Sequence, residues 1–166
     1  MHRRHQAPVV SGGLRDMKVL KTTKSAFVNF IDDEYRTLPD MNDRVFCTVV
    51  DARWTYVSSG GARIIDYDAT WATVQRSILE AFAGDARRGV ASPSVQKTLY
   101  DAAQLVFTRL QHVSDVTIEL PNVHAYEFDY SRFKTLRLTN QGEVFQPTDK
   151  PSGNIKATLR RTMAKL

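Results

Sequence analysis

The sequence predicts an α+β domain: an antiparallel four-stranded sheet with two helices on one face. Three observations carry that class. Residues from Arg44 to Val57 alternate strictly, with Phe46, Thr48, Val50, Ala52, Trp54 and Tyr56 on one side, the period of a half-buried strand. Two stretches opening near Asp68 and Ser92 repeat apolar residues every three or four positions, the period of a helix. The order is strand, strand, helix, helix, strand, strand, so both helices are inserted between strand pairs.

Taken in order, residues 1–13 are polar, end in Gly12-Gly13 and read as a flexible lead-in. Met17–Lys24 leans towards strand. Phe27, Phe30, Ile31, Tyr35 and Leu38 then fall on one face of a short helix, capped by Ser25 and stopped by Pro39. The long strand Arg44–Val57 ends in Ser58-Ser59-Gly60-Gly61, which is turn chemistry, and Ile64–Tyr67 returns briefly as strand. Asp68 caps the first helix, whose stripe is Trp71, Val74, Ile78 and Phe82 and whose stop is Gly84. Ser92-Pro93 opens the second, with Val95, Leu99, Ala102, Val106 and Leu110 inward. Val116, Ile118 and Leu120 alternate as a strand until Pro121-Asn122 bends it, and Val123–Asp129 resumes. Tyr130–Gly153 is loop-rich, and Ile155–Arg160 supplies a last strand. An open sheet has two edges that need cover, so assembly through the sheet is a physical expectation. Residues 14–161 form a single domain in this reading and 162–166 a tail.

Composition narrows the function classes. The chain has 166 residues, 42% hydrophobic and 25% charged, an ordinary globular balance that speaks against disorder, collagen or coiled coil. Its one cysteine, Cys47, allows no internal disulfide and no multi-cysteine metal site. Cys47 sits inside the strongest strand, where a buried thiol fits better than a nucleophile. No apolar run approaches the roughly 20 residues of a membrane helix, so no membrane partner is expected. The N-terminus has no apolar core of a secretory signal. Twenty-three basic against 18 acidic residues give +5, yet the charge gathers into no clear stripe. A merely basic surface, or one that concentrates a small anion, fits better than nucleic-acid binding.

The common catalytic motifs are missing: no phosphate-cradling glycine loop, no paired histidines at metal spacing, no Gly-x-Ser-x-Gly elbow. What remains are polar residues at element boundaries, each with two readings. Arg44, after Asp43, is either an exposed strand-end arginine or a guanidinium forked onto a planar anion. Gln96 is a helix former in a first turn, or a donor beside backbone N–H groups that attract negative charge. Asn122 is a turn residue, or is aimed at a site by the bend at Pro121. His124 shares a face with Tyr126 and Phe128 as a core histidine or a proton carrier. Phe27 reads first as plain core.

Several separate stretches change those odds together. Val19-Leu20-Lys21-Thr22-Thr23-Lys24-Ser25-Ala26-Phe27-Val28-Asn29-Phe30, continuing through Tyr35, Leu38 and Arg44, resembles the signature of urate oxidase (uricase). Val49–Trp54, Tyr67–Thr73, Ser94–Tyr100, Leu120–His124 and Gly142–Pro147 resemble later segments of that family, in the right order. The likeness covers about residues 14–166.

The resemblance implies the tunnelling fold and the oxidation of urate by dioxygen to 5-hydroxyisourate and hydrogen peroxide, without metal or organic cofactor. It implies that Phe27 stacks on the purine, that Arg44 and Gln96 clamp opposite edges of the urate anion, and that Val95 offers its backbone N–H. Asn122 would hold oxygen or water above the ring, and His124 would join the proton relay. Family members are homo-oligomers, typically tetramers. Ala164-Lys165-Leu166 resembles the peroxisomal Ser-Lys-Leu address, which implies an import receptor as partner and the peroxisome as location.

One departure bears on activity. Uricases carry two such domains in tandem, and this chain resembles only the second. The lysine–threonine pair that activates substrate in the family belongs to the first. The leading reading is therefore the C-terminal half of a urate oxidase. The alternative is a catalytically silent half that binds purine or assembles with the full-length enzyme.

Overall fold

The computed structural model describes residues 8–57, 64–135, 137–149 and 151–162. The turn expected at Ser58–Gly61 and the tripeptide Ala164–Leu166 lie outside the described residues. Strands β1 (Ser11–Lys21), β2 (Phe46–Tyr56), β3 (Val113–Pro121) and β6 (Asn154–Arg160) form one sheet in the order β1-β2-β3-β6. Every neighbouring pair is antiparallel. Helices α1 (Tyr67–Ala83) and α2 (Val95–Arg109) lie between β2 and β3 in sequence. They pack on each other, α1 against β1 and α2 against β3 and β6.

The alternation in β2 is the axis of the core. Phe46, Val50, Ala52, Trp54 and Tyr56 are buried, while Arg53 on the opposite side is exposed. Val113, Val116, Ile118 and Leu120 of β3 join them, with Leu14 and Val19 of β1. The helices answer with Val74, Ile78 and Phe82 from α1 and Leu99, Ala102, Val106 and Phe107 from α2. Cys47 is buried within β2, with no disulfide partner.

Several expectations are corrected. β1 starts at Ser11 rather than Met17, so Gly12-Gly13 lie inside a strand instead of ending a lead-in. Gly12 is needed there, because a Cβ would fall 2.5 Å from the Trp54 ring. Residues 27–38 form no helix. Ser25 N donates to Asp43 Oδ1 (3.1 Å), Ala26 N to Ser92 O (2.9 Å) and Phe27 N to Met41 O (2.7 Å). Those N–H groups would be free at a helix start, but the Phe27 carbonyl that would open the helical ladder accepts from Met41 N at 3.0 Å instead. Asn29, inside the expected helix, is left-handed at φ 57°. Ile31, Tyr35 and Leu38 are exposed instead of forming a core stripe.

Ile64 and Ile65 form no strand. Asp66, not Asp68, caps α1 by accepting from Ala69 N at 2.9 Å. The buried stripe runs through Thr70, Val74, Ser77, Ile78 and Ala81, which turns Trp71 partly into solvent. Ser94, rather than Ser92, caps α2 through Lys97 N at 3.1 Å. The strand after the Pro121 bend shortens to β4 (Ala125–Glu127), which pairs with β5 (Phe145–Pro147) in a small second sheet. A 3-10 turn, Tyr130–Arg132, follows β4.

Gly84 stops α1 as expected, at φ +70°, where a Cβ would meet the Gly89 carbonyl carbon at 2.8 Å. A Gly84→Ala variant therefore combines left-handed strain with a backbone clash. Its expected cost is about 1–3 kcal/mol, read as a lowered urea midpoint. An unchanged midpoint would contradict the tight return after α1.

Candidate functional site

Five stretches of chain meet at the end of the sheet where β1 and β3 finish and β2 and β6 begin. The stretch after β1 is joined to the entry of α2 by a parallel bridge between Ser25 and Ser92, with Ser92 N donating to Lys24 O at 2.8 Å. It is joined to the entry of β2 by an antiparallel bridge between Phe27 and Met41. Asp43 reinforces that second join, because one carboxylate oxygen accepts from both Ser25 N (3.1 Å) and Arg44 N (3.0 Å). The exit of β3 comes alongside through a bridge between Thr48 and Asn122, with Val123 N donating to Cys47 O at 3.0 Å. Asn122 N is held by Gly153 O (2.9 Å), and His124 O accepts from Thr148 N (3.1 Å).

These joins bring Phe27, Arg44 and His124 together. The Arg44 guanidinium carbon lies 5.1 Å from the centre of the Phe27 ring, within cation–π range. Phe27 also stacks on Phe30, centres 4.5 Å apart and planes 20° apart, and Arg36 lies 4.3 Å from the Phe30 centre. Phe27 is therefore a half-buried ring in an aromatic stack rather than the core residue of a helix. Burial lowers the Arg44 pKa from its ordinary value, and an arginine that starts so high stays charged. Burial and then the Arg44 charge both lower the His124 pKa.

Val95 and Gln96 open α2, where helix geometry leaves the first N–H groups without an intrahelical acceptor. The Val95 side chain is buried and Gln96 is exposed, so the helix offers one backbone donor and one side-chain amide near the Ser25–Ser92 bridge. Asn122 and His124 are half-buried. Phe27, Arg44 and His124 form a ledge with a ring face, a guanidinium and an imidazole. Gln96 and Asn122 share that end of the sheet through the Ser25–Ser92 and Thr48–Asn122 bridges, with no side-chain contact to the three. Such groups suit a flat anion with polar edges. Among the described residues no group of three His, Cys, Asp or Glu side chains is arranged to hold a metal ion. No helix among them is long and apolar enough to cross a membrane.

The uricase family profile matches residues 10–156. The chain belongs to the uricase family. It is 43% identical over 162 residues to a uricase of Oryctolagus cuniculus, covering 98% of this chain and 52% of that one. A Danio rerio uricase is 46% identical over 156 residues, covering 94% and 50%. Among solved structures, the uricase from Arthrobacter globiformis superposes with a TM-score of 0.82 at 32% identity, over 95% of this chain and 51% of that one. The ββααββ architecture is therefore that of the tunnelling fold. The urate oxidase from Bacillus sp. TB-90 shares that fold at TM-score 0.67 and 18% identity. The chain spans about half the length of the uricases it matches.

Sequence reading missed Lys21, Asp43 and Ser92, which hold the ledge together without facing it. Their signal was weak because each bonds across a large gap in sequence: Lys21 Nζ reaches Val90 O (3.0 Å) and Ser92 Oγ (2.7 Å). Only the polar pair Asp43-Arg44 at a strand mouth hinted at one of them.

The lowered His124 pKa has a pH consequence. A histidine with a depressed folded value takes up its proton later than the unfolded chain does as pH falls. The stability cost is absent above the ordinary value of about 6.5 and complete below the folded value. The ring resonances of His124 are thus expected to titrate below that ordinary value. An Arg44→Met variant should raise the midpoint by removing one of the two causes. A midpoint at or above the ordinary value in the parent chain would contradict the burial and the nearby charge.

Proposed function

We propose that this uricase-family chain supplies the stacking, clamping and oxygen-holding groups of a urate oxidase site. The observation that carries the proposal is Phe27 and Arg44 side by side at the ledge beside the start of α2, in a chain of this family. Urate is a planar anion at neutral pH, so a ring face and in-plane donors recognise its two distinct features. In this reading Phe27 stacks on the purine, and Arg44 and Gln96 donate to opposite edges. The Val95 N–H donates as well, and Asn122 holds dioxygen or water above the ring. His124, neutral at pH 7, accepts and passes on a proton.

The reaction is urate plus dioxygen plus water giving 5-hydroxyisourate and hydrogen peroxide. Two electrons leave urate for dioxygen, and the oxygen of water ends on the carbon that lost them. The electron-rich urate anion is the reductant, so the reading needs no metal or organic cofactor. Holding urate and dioxygen in register is the protein's contribution. The base that deprotonates urate is assigned by the family resemblance to the first repeat, outside the region matched. Copies of the matched region bring no such group, so in this reading assembly with a polypeptide that carries the first repeat places the base across the ledge. The same reading puts the reaction in the peroxisome, with Ala164–Leu166 read by the import receptor.

The test follows the loss of urate ultraviolet absorbance under air, with peroxide detection. The 166-residue chain alone is expected to turn over slowly. Mixing it with a polypeptide carrying the first repeat of the rabbit uricase is expected to raise the rate. Family-level turnover by the chain alone would overturn the assignment of the base to another repeat. No turnover in the mixture would overturn the proposed activity.

A further inference from the structure

We propose that Lys21 is a positioning residue that sets the spacing between the stacking ring and the edge clamp, by fastening the stretch before Phe27 to the entry of α2. The inference rests on the proposed urate site and extends it to a residue that does not touch the ligand.

Lys21 is the last residue of β1, three positions before the turn that leads to Phe27. Its ammonium donates to Val90 O at 3.0 Å and to Ser92 Oγ at 2.7 Å. Ser92 is buried at 2% exposure and also accepts from Thr98 Oγ1 at 2.8 Å. Thr98 lies in the first turn of α2, two residues beyond Gln96. A single chain of bonds therefore runs from the end of β1 through a buried hydroxyl to the turn that carries Val95 and Gln96.

The same Ser92 closes the backbone bridge, donating from N to Lys24 O (2.8 Å) and accepting at O from Ala26 N (2.9 Å). Ala26 is the residue next to Phe27. The position of Ser92 is thus shared between the stacking segment and the clamp helix, and Lys21 is the charged group that fixes it. The buried Phe46 and Phe82 rings lie 6.0 and 5.4 Å from Nζ. They flank the ammonium with apolar surface, where few alternative acceptors compete for it. A small shift of Ser92 would move Phe27 and Gln96 relative to each other. A planar ligand that must stack and be clamped at once is sensitive to such a shift.

Lys21→Met keeps an unbranched chain against Phe46 and Phe82 and removes the donors. It is expected to weaken urate binding to the whole chain roughly 10-fold, the scale of one lost charge-assisted hydrogen bond. Affinity for planar aromatics that only stack should stay unchanged. Lys21→Arg should recover most of the loss. In a Gln96→Ala background Lys21→Met should cost clearly less than it does alone, because the two act in part through the same clamp. Amide exchange at Ala26 and Ser92 should quicken in Lys21→Met, a readout that needs no ligand.

Urate affinity unchanged in Lys21→Met, or losses that add independently with Gln96→Ala, would overturn the positioning role alone. Unchanged exchange at Ala26 and Ser92 would overturn it as well. If the parent chain bound no urate, the proposed function would fall first, and the clamp role of Lys21 with it.

Discussion

Replacing Arg44 by alanine is expected to weaken urate binding roughly 100-fold or more. A guanidinium that forks onto an anion makes two charge-assisted hydrogen bonds, each worth about 1.5–3 kcal/mol when the partner is charged. Arg44 begins that contact prepaid in position: its backbone N–H is fixed by Asp43 Oδ1 at 3.0 Å, and its side chain already lies 5.1 Å from the Phe27 ring centre. Arg44→Lys should recover little, because an ammonium cannot present two parallel donors. Calorimetric titration of urate into the variants reads both effects. Binding within threefold of the parent would mean that Arg44 is a strand-end cation and not a clamp.

The second large effect is on the fold. Trp54→Ala is expected to cost about 3–5 kcal/mol, a large fraction of the 5–15 kcal/mol that a domain of this size commands. Trp54 is 1% exposed at the centre of β2, and Gly12 on β1 leaves its side open so that the indole can lie flat against the neighbouring strand. The cavity left by alanine borders a sheet whose strands cannot close over it without breaking their ladder. A fall in melting temperature of roughly 6–20 °C is expected. Trp54→Phe should cost less, because the indole Nε1 is buried without a hydrogen-bond partner among the described residues and phenylalanine removes that orphan donor. A Trp54→Phe variant less stable than Trp54→Ala would contradict this account of the core.

The sheet and both helices were legible because their periods are long and match their burial. Burial alternates over the nine residues from Thr48 to Tyr56, and Val95, Leu99, Ala102 and Val106 all turn inward. Residues 25–41 were misread for the opposite reason. Phe27, Phe30, Ile31, Tyr35 and Leu38 have helical spacing, yet their backbone is committed to Ser92, Met41 and Asp43. Those partners lie far off in sequence, and a local pattern carries no trace of them. The caps were placed two residues off at both helices, since Asp66 and Asp68, like Ser92 and Ser94, offer the same side-chain chemistry.

The candidate site was readable only through the family resemblance. Arg44, Gln96, Asn122 and His124 each have a commoner structural reading, and no spacing in one sequence says that a strand mouth, a helix start and a strand bend share a place. The bridges Ser25–Ser92, Phe27–Met41 and Thr48–Asn122 are what bring them to one end of the sheet. Lys21 escaped even the resemblance as a role, because it acts through a serine and a threonine instead of facing the ledge.

The most direct test of the account is urate titrated into the 166-residue chain under nitrogen, where dioxygen cannot consume it, with binding read by calorimetry and by the rise in melting temperature. Saturable binding that Arg44→Ala and Gln96→Ala each weaken strongly is the expected result. No heat and no rise in melting temperature at saturating urate would contradict the account, and the ledge would then be a fold feature of the family without its ligand.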